Sequence, residues 1–395
     1  MTPRLASPRK CTGCMACVDS CNNHAINHCI DKDGHYSISF DESLCVGCLL
    51  CEKSCPVVSG FSYCQSDISE YYSAWNKNDE ERINSASGGV FSAMAHYIID
   101  NGGCVIGAAT DDVFNVKHIV IDTLSDLARL QGSKYSQSDM SGIYKKTLEL
   151  LRQGRLVLFS GTGCQVAALL SFLGRKSYTG RLITVDLICG GVPSKYLLTK
   201  FVEHEPYQMK RILSYRTKDN GWKPTGFEYN MKVEDVDGNV HDYAGVPNLV
   251  TTAFSQELTE RYSCYNCQFV GEKRMSDFTI GDLWGDTMNP KQHYMGLSLI
   301  VAHKSEALDL LKKMGDYLCL SSCDADSAKK TNFRLVRGKN ARQYTLERLM
   351  LHTLFENCSY KTLLKIYADN VASNSPWIIW RFCRKVYVKV INQLI

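Results

Sequence analysis

Two runs of cysteine in the first 55 residues have the same spacing. Cys11, Cys14, Cys17 and Cys21 form C-x2-C-x2-C-x3-C; Cys45, Cys48, Cys51 and Cys55 repeat it, with Pro56 next. This is the ligand pattern of a bacterial ferredoxin carrying two 4Fe–4S clusters, in which the fourth cysteine of each run serves the other cluster. Cys11, Cys14, Cys17 and Cys55 are therefore expected at one cluster, and Cys45, Cys48, Cys51 and Cys21 at the second. Asn22 stands where the first run would carry its proline; that position is not a ligand. Zinc sites usually pair two C-x2-C motifs, and disulfide frameworks belong to small secreted domains. Neither accounts for triplets with a fourth cysteine three residues on. Cys29 and Cys64 fall outside the spacing and are expected to be small buried residues.

Thiol loops of this kind need elements to hold them, and the chain is long enough for two or three domains. It has 395 residues, 45% apolar and 22% charged, with 19 cysteines. The 45 basic and 41 acidic side chains leave a net charge of +4, too balanced for a nucleic-acid partner. The N-terminal residues show no apolar signal segment, and no stretch has the roughly 18 uncharged apolar residues of a membrane span. Clusters and many thiols point to a reducing cytoplasm.

Residues 1–62 read as a ferredoxin-like α+β unit, with strand-like segments such as His35–Phe40. From Ser85 the pattern becomes strand, glycine-rich loop, helix. Helices are expected at Val90–Ile99, Tyr144–Gln153 and Gln165–Leu173, and strands at Cys104–Ala109, Val116–Asp122, Arg155–Ser160 and Leu182–Cys189. This alternation argues for an α/β domain with a mostly parallel sheet. Ligands of such sheets sit beyond the carboxyl ends of the strands, where Cys164 and Cys189 fall, each in a glycine loop. Beyond residue 205 the chain reads more β-rich, at Ile212–Thr217, Phe227–Glu234, Phe278–Gly281 and Leu297–His303. Residues 326–395 read as a helical tail. Cys264 and Cys267 form a lone C-x2-C pair that suits half a zinc site, a redox pair or neither. With Cys164 and Cys189 they would make four thiolates at one sheet edge.

Six motifs then occur in order: Ser87-Gly-Gly-Val-Phe-Ser-Ala, Gly132-Ser-Lys-Tyr, Gly161-Thr-Gly-Cys-Gln-Val-Ala-Ala-Leu, Cys189-Gly-Gly-Val-Pro-Ser, Cys264-x2-Cys267 and Asp277-x3-Gly-Asp-x-Trp-Gly285. Together they resemble the family of β subunits of coenzyme F420 hydrogenases and dehydrogenases, over roughly residues 70–310. The resemblance divides the body into 70–205 and 206–325, two parts of one flavin-binding α/β domain. It implies an FAD site and a third 4Fe–4S cluster at Cys164, Cys189, Cys264 and Cys267. Ser87, Gly88, Gly89, Lys134, Tyr135, Gly161 and Asp282 match segments that line the flavin pocket. One departure stands out: the family usually has proline just before the cysteine of the Gly161 loop, and here it is Gly163. Read without the resemblance, Ser87-Gly-Gly suits a tight helix N-cap, Lys134 and Tyr135 suit a surface loop, and Asp277 a turn.

Clusters pass electrons singly and a flavin accepts a hydride as a pair, with the protein setting orientation, potential and access. The expected function is an iron–sulfur flavoprotein oxidoreductase exchanging a hydride with a small organic substrate or a deazaflavin such as coenzyme F420. Two rival readings are an electron-transfer subunit of a larger F420-linked complex and a non-catalytic, cluster-stabilised interaction protein. An electron-donor protein or small redox carrier is the expected partner. No residue stands out as a catalytic proton donor; His96 and His118 sit among apolar neighbours in sequence. Residues 375–395, with Trp377, Trp380, Tyr387, Ile391 and Leu394 at helical spacing among basic residues, suit a helix docked on protein, with a peripheral contact at the inner membrane face as the alternative.

Overall fold

The computed structural model describes residues 2–60, 68–110, 115–219, 221–222, 230–243, 248–255, 257–284, 294–336 and 358–371. Cys64, Gly285 and the 375–395 segment lie outside the described residues. Among the described residues no helix is long and apolar enough to cross a membrane.

The two cysteine runs fold alike. In each, the glycine before the second cysteine (Gly13, φ 66°; Gly47, φ 68°) and the residue after it (Met15, φ 63°; Leu49, φ 58°) take left-handed backbone. Each loop leads into a one-turn helix, α1 (Ala16–Ser20) and α2 (Leu50–Ser54), separated by the antiparallel hairpin β1 (Ile26–Ile30) and β2 (Tyr36–Phe40). Ser20 and Ser54, each just before the fourth cysteine of its run, share a 2.6 Å hydrogen bond between hydroxyls. The internal duplication read from spacing is thus a duplication of backbone.

The body follows as β3 (Glu70–Asn76), α3 (Asp79–Asn84), α4 (Val90–Asp100), β4 (Cys104–Thr110), β5 (Val116–Ile121), α5 (Ile143–Arg152), β6 (Leu156–Thr162), α6 (Gly163–Leu173), β7 (Arg181–Leu187) and α7 (Lys195–His204). Next come β8 (Met209–Ser214), β9 (Met231–Asp235), β10 (Val240–Tyr243), β11 (Phe278–Asp282), β12 (Ser298–Ala302) and β13 (Leu318–Ser322). Eight strands make one sheet in the order β13-β3-β12-β11-β7-β6-β4-β5; β10-β9-β8 make a separate antiparallel sheet.

The large sheet is mixed, which corrects the mostly parallel sheet expected. β4, β6, β7 and β11 are parallel neighbours, and the flanking pairings are antiparallel. The connection from Thr110 to Val116 is too short for the crossover that a parallel partner requires, so β5 turns back on β4. The central strands are buried on both faces. Val105 and Leu158 pack towards α4 and the helix Ser305–Lys313, whereas Cys104, Ile106, Val157 and Phe159 pack towards α5 and α6. Two-sided burial explains why these strands read as continuous apolar runs. Of the expected helical tail, Ala325–Thr331, Phe333–Val336 and Tyr360–Val371 are helical.

Candidate redox site

The swapped fourth cysteine is visible in the geometry of the first unit. Cys21, Cys45, Cys48 and Cys51 line one cavity of about 140 Å³. Cys55 has crossed to the first run. Burial pushes the Cys14 thiol up to about 12, and the charges of Cys55 and Cys11 add to this. Cys17 is pushed well above its ordinary value by burial, then by Cys14, Cys11 and Cys55. Cys51 is raised by burial and feels Cys48 and Cys21 instead. Gly13 N–H donates to Cys11 Sγ at 3.4 Å.

The first loop is docked on the body. Arg261 donates to the carbonyls of Cys11 (3.2 Å) and Tyr36 and to Gln137 Oε1 (3.0 Å). Gln137 Nε2 donates to the carbonyls of Thr12 and Gly13 at 3.0 and 3.2 Å. Tyr144, fully buried, donates its hydroxyl to the Cys14 carbonyl at 2.7 Å. Asp19 of α1 accepts from the N–H groups of Gly142 and Tyr144, capping α5 from the other unit. A Cβ on Gly13 would meet Arg261 at 2.5 Å, so glycine is needed there for close approach as well as for its backbone.

A second set of thiols gathers from three separate segments. β6 and β7 run parallel with Thr162 opposite Leu187, so Cys164 and Cys189, each two residues on, leave the sheet side by side. Cys264 and Cys267 reach them from a loop that Arg274 ties down, donating to the carbonyls of Phe269 (3.0 Å) and Gly271 (2.8 Å) and pairing with buried Asp186 of β7 at 3.3 Å. Burial raises Cys264 to about 12, Cys267 to about 11, and Cys164 well above its ordinary value. Each of these three also feels the charge of others in the set, and Cys164 further feels Cys14 of the first loop. Gly191 N–H donates to Cys189 Sγ at 3.3 Å.

Gly163, the departure from the family pattern, is pressed against the Cys264–Gly271 loop. A Cβ there would stand 2.7 Å from the Phe269 carbonyl. Glycine here lets the two thiol-bearing segments close on each other. The capping box between Thr162 and Gln165 starts α6 at Gly163, two residues earlier than expected.

Cys164 and Cys189 also stand at the wall of a cleft of about 760 Å³, within the size range of cofactor sites. Ser87, Gly89, Lys134, Tyr135, Gly161 and Asp282 line it as well. Gly88 does not. It packs into the sheet, where a Cβ would meet the Ala74 carbonyl at 2.6 Å, and its N–H donates to Ser298 Oγ at 2.9 Å. The N-cap of α4 is Gly89 in left-handed conformation, not Ser87; the Ser87 hydroxyl donates to the Leu297 carbonyl at 2.7 Å. Lys134 folds back, donating to the Gln131 and Arg129 carbonyls, and burial lowers it to about 7. Tyr135 packs against Phe254 and Tyr215, so neither residue belongs to a free surface loop.

Of the residues that the sequence does not single out, Arg216 and Gln137 line the cleft, and Lys218 and Arg261 lie outside its lining. Arg216 grips Asp282 through two bonds of 2.9 and 3.0 Å, so Asp282 is a paired carboxylate. Lys218 donates to the carbonyls of Arg82, Ser87 and Met295, binding α3, the Ser87 turn and the approach to β12 together. Arg216 and Lys218, two apart at the end of β8, carry a weak signal in the sequence; Gln137 and Arg261 carry none. His118 is buried, stacked on Phe159, with Nε2 at 2.9 Å from the Ser160 carbonyl, and burial lowers it to about 4. His96 is half-buried with Nε2 3.5 Å from Glu81, a polar setting instead of the apolar one expected. Cys29 is exposed, not buried, because β1 is open to solvent on both faces from Asn27 to Ile30.

Family comparisons bear on this geometry. The model of the coenzyme F420 hydrogenase/dehydrogenase β subunit N-terminus matches residues 71–145, and that of its C-terminus residues 154–328. A 4Fe–4S dicluster domain matches residues 10–58. The chain belongs to the family of coenzyme F420 hydrogenase/dehydrogenase β subunits. An iron–sulfur ferredoxin domain precedes the family's body, whose match covers the cleft lining except Thr331–Arg334 and includes all four thiols of the second set. A relative, one of the subunits of the F(420)H(2) dehydrogenase of Methanosarcina mazei, is 24% identical over 204 residues, which are 48% of this chain and 56% of the relative. The chain thus spans little more than half the length of that relative. A chain of the F420-reducing NiFe hydrogenase complex of Methanosarcina barkeri aligns with 67% of this chain and 89% of its own length, at 18% identity and a TM-score of 0.44.

Proposed function

We propose that this chain is an iron–sulfur electron-transfer subunit of an F420-linked hydrogenase or dehydrogenase assembly, and that its cleft takes FAD. Cys11, Cys14, Cys17 and Cys55 hold one 4Fe–4S cluster, Cys45, Cys48, Cys51 and Cys21 a second, and Cys164, Cys189, Cys264 and Cys267 a third. When bound, the clusters exchange electrons singly and the flavin exchanges a hydride with a deazaflavin or another small organic partner. The observation that carries the reading is the shared wall of the cleft, where Cys164 and Cys189 stand beside the residues matched to the flavin pocket.

The donor sets fit these groups. Among the described residues no three histidine, cysteine or acidic side chains converge on a point that a single ion would occupy. A lone zinc with four thiolates at about 2.3 Å needs that convergence; a cube spreads its ligands over four irons. Buried thiols raised to about 11 or 12 are neutral by themselves, and iron would displace their protons. The N–H groups of Gly13 and Gly191 stabilise charge on sulfur. In the cleft, the first turn of α4 beyond Gly89 offers N–H groups to a pyrophosphate. Lys134 gains a proton when an anion enters. Arg216 is held by Asp282 with its guanidinium 5.9 Å from the Trp284 ring, a fixed cation in a mostly neutral wall.

The matching relative is one subunit of a larger dehydrogenase, which favours this role over the self-contained oxidoreductase expected from the sequence. The test is the iron, sulfide and flavin content of anaerobically purified protein. About twelve irons and one flavin per chain are expected from three cubes and one cofactor. About eight irons without flavin would remove the third cluster and the cleft's role together.

A further inference from the structure

The two cysteine loops share backbone but not surroundings. In the first, the carbonyls of Cys11, Thr12, Gly13 and Cys14 all accept hydrogen bonds, from Arg261, Gln137 and Tyr144. The equivalent carbonyls in the second are those of Cys45, Val46, Gly47 and Cys48, and among the described residues nothing donates to them. Instead the loop is exposed. Val46 is 67% exposed, Leu44 47% and Leu50 40%, and Cys48 itself reaches the surface. Met15 of the first loop is 1% exposed in the core under Tyr144. Asp41 and Glu42 precede the loop and Glu52 and Lys53 follow it in sequence; Asp41 accepts from Ser43 N–H, Glu42 from the Thr2 hydroxyl and Glu52 from Arg4 N–H.

We infer that the second loop is a docking surface for a one-electron carrier protein, which covers it as the body covers the first. The first interface shows what such a partner must bring: cationic and amide donors for a row of outward carbonyls, and apolar side chains beside them. The acidic residues before Cys45 add to the attraction for a guanidinium or ammonium. The place of docking is read from the duplication; the kind of partner rests on the electron-transfer reading above. Ordinary surface leucines and valines need no such account when scattered, but Leu44, Val46 and Leu50 all lie within four residues of the exposed Cys48 here, and Val46 and Leu50 line one cavity with it.

The test uses the full-length, anaerobically purified protein and zinc-substituted cytochrome c, a small cationic carrier protein made redox-inert, with affinity read by calorimetry at low ionic strength. Val46→Lys and Leu50→Lys each weaken binding at least tenfold. Ile30→Lys, at an apolar residue on β1 about as exposed as Leu50, leaves it within twofold. Iron content and the electron paramagnetic resonance of reduced clusters stay at wild-type values in all three variants. Equal affinity in Val46→Lys and wild type, with eight or more irons per chain, would overturn the docking surface alone. Equal weakening by Ile30→Lys would overturn it too, by showing attraction to net charge. A wild type without iron would overturn the electron-transfer reading and this inference with it.

Discussion

The ferredoxin unit and the third thiol set solve one problem by opposite means. In the first, eight cysteines lie in two local runs, and left-handed backbone at Gly13, Met15, Gly47 and Leu49 curls each run around its own centre. In the other, four cysteines come from three segments spread between Cys164 and Cys267, and the sheet brings them together. β6 and β7 deliver Cys164 and Cys189 to one edge, and the Arg274–Asp186 pair pulls in Cys264 and Cys267. The local solution depends on turns; the distant one depends on the whole domain being folded first. Damage should therefore spread differently from the two.

The largest contrast concerns iron. Because each run lends its fourth cysteine to the other, Cys21→Ala together with Cys55→Ala should take one ligand from both clusters of the unit and bring iron from about twelve to about four per chain. Cys264→Ala should remove only the third cluster and leave about eight. Iron analysis with spectra of the reduced clusters checks both, and equal losses would break the contrast. Arg261→Met is expected next. It leaves the carbonyls of Cys11 and Tyr36 and the Gln137 amide without their donor and should cost about 3 kcal/mol, measured as a lower urea midpoint. Gly163→Ala forces a methyl against the Phe269 carbonyl, for about 1–3 kcal/mol. It should lower third-cluster occupancy while leaving the ferredoxin signals intact.

The smallest effect needs pH. In cluster-free protein the thiols of Cys14 and Cys264 rise from 9.0 to about 12. The folded state keeps them protonated while the unfolded state ionises. Stability should therefore be flat below pH 9 and fall as pH rises from 9 towards 12. Urea midpoints at pH 8 and pH 10 test the sign, and a rise between them would contradict it. Cluster-loaded protein, its thiolates held by iron, should lack the decline.

How much could be read in advance follows the same division. The ferredoxin runs were plain in the spacing because local thiol loops have local rules. Strand-loop-helix order located β4, β6, β7 and the loops of Cys164 and Cys189 closely, since two-sided burial leaves continuous apolar runs. It missed the antiparallel flanks, because pairing direction at β3, β12 and β13 depends on partners as far apart in sequence as Tyr72 and Ser322. Gly88 was placed in the cleft by its neighbours in sequence, yet a helix entrance turns alternate residues towards sheet and solvent. Gln137 and Arg261 leave no signal in the sequence and Arg216 only a weak one, for a related reason: their roles are bonds to backbone or to one distant side chain, which leave no periodic trace.

Asp19 carries a consequence for the order of assembly. Its carboxylate, on the one-turn helix that follows the first thiol loop, caps α5, a helix of the body that packs against the central strands. Until that loop has taken its shape, α5 begins with bare amides. The N-terminal unit thereby completes a helix of its neighbour, and Asp19→Ala would leave the amides of Gly142 and Tyr144 without their acceptor.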